Sequence, residues 1–377
     1  MAPAPRRIAA LDGLRAFAVT GVVLLHSGVG TWGWVGVDVF FVLSGYLITG
    51  ILLDARAAGG LGWRTYARPF YWRRAVRILP LAMIALIVAF WVVPVAHHVA
   101  PSALRPWLWG RVPLDQQVWW WAYASNWWTR DRALGAWAMT HYWSLSVEEQ
   151  FYFVWPWVVL ACSRRRLVQV ASALLLAAPI LRLLVALTVS AGQLPPPVGS
   201  AYEYVTVLRM DGLLAGALVA LVAPDAAALT RWARRAVWIT LVGLLLALAA
   251  IRDPAPLGWG YVAKFSGLAL AFGGGLLLLL AAPRSGPARA LTHPALGGLG
   301  MISYGVYVLH APIAMQLRAH GLSGPVAAAI TLVLSVGLAA LSWRWLELPF
   351  LAHKERYAMP RNPSLAAAAR CCVARPE

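Results

Sequence analysis

Charged residues are scarce in this sequence. Only 12% of its 377 residues are Asp, Glu, Lys or Arg, whereas soluble globular proteins carry about 25%. Acids are the rarer kind, since 14 Asp and Glu face 32 Lys and Arg and leave a formal net charge of +18. No basic helix with interleaved polar positions accompanies this excess, which argues against a nucleic-acid partner. The composition is not that of an ordinary soluble domain.

Cysteine is also rare, with three residues in the chain. Cys162, Cys371 and Cys372 fit neither a disulfide framework nor the spacing of a zinc site. Cys371 and Cys372 lie in a short segment rich in Ala and Arg, where we expect them to be inert. The sequence therefore predicts no disulfide scaffold and no metal site.

The chain is rich in apolar sequence instead. Hydrophobic residues make up 61% of it, and apolar runs recur at about 20 residues, the length with which a helix crosses a bilayer. We predict an all-α polytopic membrane protein with about ten transmembrane helices in the lipid bilayer. The predicted spans are residues 8–28, 36–53, 79–96, 142–161, 167–190, 204–222, 233–251, 260–282, 296–317 and 324–346.

A long segment, residues 97–141, separates the third predicted span from the fourth. It is dense in tryptophan, which concentrates at the headgroup level of a membrane. We expect this segment to lie along one interface or to re-enter from it. The alternative is an eleventh crossing at residues 114–128.

The distribution of arginine predicts the orientation of the chain. Most arginines fall in the loops that lie on one side when ten spans alternate from the N-terminus, and such loops are usually cytoplasmic. We therefore expect both termini in the cytoplasm and the protein in the inner (plasma) membrane. Residues 1–350 form one predicted transmembrane domain, and residues 351–377 a short cytoplasmic tail that we expect to be disordered.

The first two predicted spans contain four ionisable residues: Asp12, Arg15, His26 and Asp38. Such groups are costly at bilayer depth and are usually functional there. Arg15 and His26 are eleven residues apart, roughly 1100° of helical rotation, so they share a face about 16 Å apart along the axis. The spacing predicts a substrate channel with an imidazole base in it. A packed histidine and a snorkelling arginine are the alternative.

A cluster of arginines precedes the third predicted span. Arg74 and Arg77 are three residues apart and would be neighbours at the start of a helix, with Arg73 beside them. Guanidinium groups side by side suit the phosphates of a ligand. An ordinary cytoplasmic charge cluster is the other interpretation of this segment.

The fourth predicted span opens with polar residues. Glu148 and Glu149 are adjacent acids in an otherwise apolar helix, and Ser144 lies four residues before Glu148 on the same face. A buried carboxylate needs a partner, which Arg15 or His26 could supply.

Polar residues also occur in later spans. Arg209 and Asp211 are two residues apart and project on different sides of a helix, so we expect each to pair with another helix. His310, with Tyr307 beside it, is either a second functional histidine or, as we expect, a packing residue. Arg344 and Glu347 are expected to form a structural pair at the membrane surface.

Taken together, these segments resemble the acyltransferase-3 family of integral-membrane O-acyltransferases. The matching stretches follow the family's order: LDGLRAFAVTGVVLLH, GVDVFFVLSGYLIT, RRAVRILP, HYWSLSVEEQFYFVWP, RMDGLLAG and ISYGVYVLH. The resemblance implies a ten-helix fold, acyl-CoA as donor and His26 as the catalytic histidine. The Arg-x10-His element of the family falls on Arg15 and His26, and its Arg-x-x-Arg element on Arg74 and Arg77.

The sequence and the resemblance lead to one hypothesis. The chain would transfer a short acyl group, with acetyl-CoA as the expected co-substrate, to a hydroxyl of a carbohydrate or macrolide-like acceptor. His26 would be the general base, Arg15 would hold or polarise the donor, and one of Glu148 and Glu149 would orient His26 or balance Arg15. Arg74 and Arg77 would grip the nucleotide phosphates. The alternative is a transporter or flippase for a glycolipid or small molecule.

Overall fold

The computed structural model describes residues 8–109, 111–128, 139–194, 201–253, 255, 257–357 and 359. These residues form helices and no β-strand. Among them, the helices of twelve or more residues are α1 (Ala9–His26), α2 (Val35–Ala57), α3 (Arg68–Ile87), α4 (Tyr142–Ala161), α5 (Arg164–Ser190), α6 (Asp211–Val222), α7 (Ala226–Ile251), α8 (Trp259–Ala281), α9 (Ser303–Ala319) and α10 (Pro325–Ser342).

The apolar helices confirm an all-α polytopic membrane protein. Within the described ranges, 7 helical stretches are long and apolar enough to cross a membrane. An eighth span results if the helix Pro294–Met301 and α9, which meet at 70°, are counted as one. The two other predicted spans, α4 and α6, are not among these stretches. Helix α4 is polar in its first half. Helix α6 has 12 residues, about 18 Å of helix, which is shorter than a hydrocarbon core of about 30 Å.

The third apolar stretch begins earlier than predicted. It runs from Trp63 to Val99 with α3 inside it, so the loop expected over residues 54–78 is shorter than the sequence suggested. Arginines near its start lower the mean hydropathy of the sequence there, so the predicted span began later than the helix does. This places Arg74 and Arg77 on a helix, one turn apart.

The chain continues in helical form beyond residue 350. A short helix, Leu348–Ala352, follows α10 and leads to a 3-10 turn, His353–Arg356. The indole of Trp72 donates a hydrogen bond of 2.8 Å to the His353 carbonyl oxygen, which joins this end of the chain to α3. Most of the tail expected over residues 351–377 lies outside the described residues.

The tryptophan-rich segment before α4 contains two short helices, Leu114–Trp121 and Ser125–Trp128. The longer has 8 residues, about 12 Å at 1.5 Å per residue, too short to cross a bilayer. The alternative of an eleventh crossing at residues 114–128 is therefore wrong. The amide of Gln150 on α4 donates to the backbone oxygen of Tyr123 and to Asn126 Oδ1, each at 2.9 Å, and ties the segment to the bundle. Residues 110 and 129–138 of the segment lie outside the described residues.

Helices α2 and α6 approach each other through glycine. A Cβ atom on Gly45 would overlap the Leu213 carbonyl oxygen, and one on Gly216 would overlap that of Val42. Small residues allow this close backbone contact between helices in a membrane. The contact brings the start of α2 beside the residues that precede α6, where a buried ion pair forms.

Candidate active site

Three histidines from three different helical regions meet at one end of α1. His26 is the last residue of α1, His310 lies within α9, and His141 directly precedes α4. The ring centroids of His26 and His310 are 5.0 Å apart, and those of His141 and His310 are 5.3 Å apart. We call these residues the three-histidine cluster. His141 and His310 are buried, whereas His26 is half-buried.

His26 has one ring nitrogen engaged and one open. Its Nδ1 lies 3.0 Å from the Val22 carbonyl oxygen and 3.1 Å from Nε2 of His310. No described group forms a hydrogen bond with its Nε2. A neutral imidazole with Nδ1 engaged in this way has a lone pair on Nε2 that can accept a proton.

A cavity of about 580 Å³ adjoins the three-histidine cluster. His26, His141 and Tyr307 are among the residues that line it. Trp143 and Tyr204 line it too, and their ring centroids are 4.7 Å apart. The volume falls in the range of small-molecule sites, and the lining combines aromatic surface with a few polar groups, as such sites do.

Charged side chains complete the cavity lining. Lys264 donates to Glu203 in a half-buried ion pair, and both residues line the cavity. Arg209 lines it too and forms a buried pair with Asp38, with contacts of 2.5 and 3.1 Å. The guanidinium of Arg209 also lies 3.7 Å from the ring centroid of Phe265, a cation–π contact.

Asp211 pairs with a different arginine from the one beside it in sequence. Arg182 on α5 contacts its two carboxylate oxygens at 2.9 and 2.8 Å. The other donors of Arg182 reach the backbone oxygens of Leu208 and Val262 and the hydroxyl of Ser266. The expectation that Arg209 and Asp211 each pair across helices is therefore confirmed.

Ser144 and Tyr307 are joined behind the histidines. Their hydroxyl oxygens are 2.5 Å apart, and the Tyr307 hydroxyl donates to the His141 carbonyl oxygen at 2.9 Å. Both side chains are buried. This contact fixes α4 against α9 beside the three-histidine cluster.

The carboxylates of α4 lie in a second polar region, separate from the histidines. Glu148 accepts from the hydroxyls of Ser44 at 2.8 Å and Tyr152 at 3.3 Å. The positive charges of Arg15 and Arg74 act on it. None of the hydrogen bonds between described residues joins Glu148 to His26 or to Arg15, and of these two residues only Arg15 acts on its charge.

The arginines expected to handle the donor gather in this second region. Arg15 pairs with Asp12 at 2.9 Å, Arg74 acts on Glu149 as well as Glu148, and Arg77 lies within electrostatic reach of Arg74 and Arg15. Arg73, on the same helix, is buried. We call Arg15, Arg74, Arg77, Glu148 and Glu149 the arginine–glutamate region. None of its members lines the cavity within the described part of the chain.

The pair expected between Arg344 and Glu347 does not form. Glu347 is buried, and its charge interacts with Arg77 on α3, while Arg344 is exposed. The chain forms a π-helical turn from Trp343 to Glu347, and the carboxylate faces the bundle. Glu347 therefore belongs beside the arginine–glutamate region.

Comparison with known proteins identifies the family. A family model described as an acyltransferase domain matches residues 8–344. The chain belongs to this acyltransferase family. The match covers nearly all of the helical bundle, so the family resemblance seen in the sequence motifs is confirmed.

Relatives in the acyltransferase family are named as O-acetyltransferases. The chain is 30% identical over 375 residues to "Putative peptidoglycan O-acetyltransferase YrhL" of Bacillus subtilis (strain 168), covering 91% of this chain and 55% of the relative. It is 27% identical over 376 residues to "O-acetyltransferase OatA" of Staphylococcus aureus (strain NCTC 8325 / PS 47), covering 92% and 57%. The chain thus spans little more than half the length of these curated relatives. No solved structure matches it.

Sequence reasoning missed several residues of the site in this family member. The sequence did not predict His141 as a site residue, because it directly precedes an apolar run. In the structure it is buried and packs against His310 in the three-histidine cluster. Lys264 and Glu203 are 61 residues apart, and no local pattern links them. Among the described residues, no group of His, Cys, Asp and Glu has the arrangement of a metal site.

Proposed function

We propose that this chain transfers an acetyl group, or another short acyl group, from cytoplasmic acyl-CoA to a hydroxyl of a carbohydrate or macrolide-like acceptor. The observation that carries the proposal is His26: its Nε2 has no hydrogen-bond partner among the described residues, and its ring lines a cavity large enough for a sugar unit. The printed name of the Bacillus subtilis relative supports a peptidoglycan acceptor first. The inner (plasma) membrane is the proposed location.

The reaction needs one proton transfer in each direction. His26 Nε2 takes the proton of the acceptor hydroxyl while its oxygen attacks the thioester carbonyl carbon. The new carbon–oxygen bond forms, the carbon–sulfur bond breaks, and the electron pair leaves with the sulfur of CoA. His26 then returns the proton to that thiolate, so atoms and charge balance and the imidazole is restored.

The donor would enter from the arginine–glutamate region. Arg74 and Arg77 are adjacent on one helix, and guanidinium groups bind phosphate oxygens in bidentate geometry. Arg15 and His26 belong to the same helix, α1, eleven residues and about 16 Å apart. The pantetheine arm of CoA is long enough to bridge such a distance. Arg15 would therefore steer the arm toward the imidazole.

The acceptor would occupy the cavity beside His26. Trp143 and Tyr204 provide aromatic surface, and sugar rings pack their apolar faces on such surface. Lys264 and Glu203 provide a donor and an acceptor for hydroxyl groups. A hydroxyl placed against Nε2 of His26 would then be the reacting one.

Purified protein in detergent tests the assignment. It is incubated with radiolabelled acetyl-CoA and a panel of peptidoglycan fragments, lipid-linked sugars and macrolides. We expect His26→Ala to reduce transfer about a hundredfold or more, the usual worth of a general base. His98→Ala, at an exposed histidine that does not line the cavity, is the matched control and should retain activity. Full transfer by His26→Ala would remove the mechanism.

A second arm of the experiment tests the donor site. Acetyl-pantetheine carries the thioester without the nucleotide phosphates. We expect Arg74→Gln to raise the KM for acetyl-CoA about tenfold, since a charge-assisted hydrogen bond is worth about 1.5–3 kcal/mol, and to leave acetyl-pantetheine turnover unchanged. Arg165→Gln, at an exposed arginine on α5, controls for general surface charge. Equal effects of Arg74→Gln on both donors would contradict phosphate binding.

A further inference from the structure

His310 has its Nδ1 directed at the backbone of its own helix. This atom lies 2.7 Å from the Tyr307 carbonyl oxygen and 3.2 Å from that of Val306. A carbonyl oxygen only accepts hydrogen bonds, so Nδ1 of His310 must carry a hydrogen. The two carbonyl oxygens therefore assign the ring proton of His310 to Nδ1.

The second ring nitrogen of His310 is then an acceptor. The side chain is fully buried, and a buried charge without a counter-ion is costly. A neutral imidazole with hydrogen on Nδ1 has a lone pair on Nε2. That lone pair faces Nδ1 of His26 at 3.1 Å.

His26 Nδ1 is therefore surrounded by acceptors only. Both the Val22 carbonyl oxygen, at 3.0 Å, and Nε2 of His310 need a hydrogen from it. Two lone pairs facing a third would repel, so Nδ1 of His26 carries the hydrogen. The hydrogen bond made by one ring nitrogen determines whether the other ring nitrogen is protonated. The remaining nitrogen, Nε2, is left basic.

We propose that His310 is a positioning residue that holds His26 in the tautomer with a basic Nε2. The catalytic role of this tautomer rests on the proposed acyl transfer. The tautomer itself is inferred from the hydrogen bonds alone. Without His310, the i−4 carbonyl of Val22 would be the single acceptor at Nδ1 of His26 among the described residues, and the ring could rotate away from it.

The same contact would assist while the proton is on His26. When Nε2 takes the hydroxyl proton, the ring becomes an imidazolium, and its Nδ1–H bond to His310 strengthens because the donor is now charged. In serine proteases an aspartate holds the catalytic histidine in this manner. Here the partner is neutral, so it orients the base without adding a charge to an apolar region.

His141 does not share this function. Its Nε2 donates to the Val308 carbonyl oxygen at 3.1 Å, and its ring meets that of His310 edge-on. It makes no described hydrogen bond to His26. His141 therefore packs the cluster, while His310 contacts the base directly.

Nitrogen-15 NMR of histidine-labelled protein in detergent or nanodiscs tests the assignment. The chain has 8 histidines, and the two ring-nitrogen shifts of each distinguish its tautomers. The signals of His26 are assigned by their loss in His26→Ala. We expect wild-type His26 to carry its hydrogen on Nδ1, and His310→Leu to give a mixture of both tautomers.

Kinetics of two His310 variants supply the functional readout. We expect His310→Leu to lower kcat about tenfold or more with KM changed less than about twofold, since a wrong tautomer lowers turnover and leaves binding intact. His310→Gln, whose amide oxygen can replace Nε2 as acceptor, should recover most of the loss. Ser303→Ala, a buried hydroxyl on the same helix, controls for disturbance of α9 and should leave the His26 signals unchanged.

Three results would overturn the proposal. They are a wild-type His26 with its hydrogen on Nε2, a His310→Leu protein with unchanged tautomer and kcat, and a Gln variant as impaired as the Leu variant. If His310→Leu does not fold, the wild-type spectrum and the kinetics of His310→Gln still test the proposal. A wild-type protein that transfers no acetyl group would contradict the proposed function instead, whatever the tautomer of His26.

Discussion

At the scale of single residues, two buried arginines, Arg182 and Arg209, are neutralised by carboxylates on other helices. Arg182 is the fullest case, since its five N–H groups meet Asp211, Ser266 and two backbone oxygens. Hydrocarbon cannot solvate a guanidinium, so every donor must be satisfied inside the bundle. Such pairs define which helices can be neighbours and hold them in register beside the cavity.

The pair of Asp38 and Arg209 gives a measurable case. Asp38→Asn leaves the buried guanidinium without its counter-charge, and we expect a loss of about 3–5 kcal/mol of unfolding free energy. Thermal unfolding of the purified protein in detergent measures it. Glu203→Gln is the control, because the pair of Glu203 with Lys264 is partly exposed and partly exposed pairs are worth at most about 1 kcal/mol. Equal shifts in Tm would contradict the argument.

The sequence predicted that Arg209 and Asp211 pair with other helices, but it did not predict which residues they pair with. The two-residue spacing of Arg209 and Asp211 excluded a mutual pair, and each indeed pairs across helices. Asp38 and Arg182 could not be named as those partners, because the choice depends on how helices far apart in sequence pack. His310 was expected to be a packing residue, and its contact with His26 is visible only once α1 and α9 are side by side.

At the scale of helices, the bundle depends on places where side chains are absent. Gly45 on α2 lies against the backbone of α6, and a methyl group there would overlap the Leu213 carbonyl oxygen. Gly50 lies on the same helix with nothing within 4 Å of its would-be Cβ. One helix thus contains a packed glycine and an unpacked one, which gives a matched comparison.

We expect Gly45→Ala to destabilise the protein and Gly50→Ala to leave it unchanged or slightly more stable. Overpacking a tight contact costs about 1–3 kcal/mol, while alanine in an open helix position gains up to about 1 kcal/mol over glycine. Thermal unfolding in detergent, with yield of folded protein as a second readout, measures both. Similar stability of the two variants would show that α2 and α6 are not in close backbone contact.

The helices themselves were largely predictable, and their bounds less so. Runs of about 20 apolar residues located α5 and α8 within three positions at each end, whereas α7 begins at Ala226, seven residues before its predicted start. The start of the third stretch at Trp63 was missed because arginines inside a helix resemble a loop to a hydropathy argument. Helix α6 extends over only 12 residues, since the chain before it turns to bring Arg209 to Asp38.

At the scale of the whole molecule, two polar regions are linked by the first helix. Arg15 belongs to the arginine–glutamate region and His26 to the three-histidine cluster, and α1 contains both. Donor and acceptor would therefore reach the imidazole from opposite ends. This arrangement serves a cytoplasmic donor only if the end of α1 near Arg15 faces the cytoplasm.

Cysteine labelling in intact cells tests that orientation. In a background with Cys162, Cys371 and Cys372 replaced by Ser, single cysteines are introduced by Gly62→Cys and His98→Cys, both at exposed positions at opposite ends of the third stretch. The excess of arginine around residue 62 predicts a cytoplasmic position there. We expect a membrane-impermeant maleimide to label the His98→Cys protein in intact cells and the Gly62→Cys protein only after permeabilisation.

The labelling result bears on the donor as well as on topology. Acyl-CoA is cytoplasmic, so phosphate-binding arginines on the other face would have no donor to bind. Labelling of the Gly62→Cys protein in intact cells would place Arg74 and Arg77 outside and rule out the proposed route for acyl-CoA. Labelling of both positions only after permeabilisation would show that the stretch from Trp63 to Val99 does not cross the membrane, against its length of 37 residues, about 55 Å of helix. Only the expected pattern is consistent with a cytoplasmic thioester that approaches His26 from the end of α1 near Arg15.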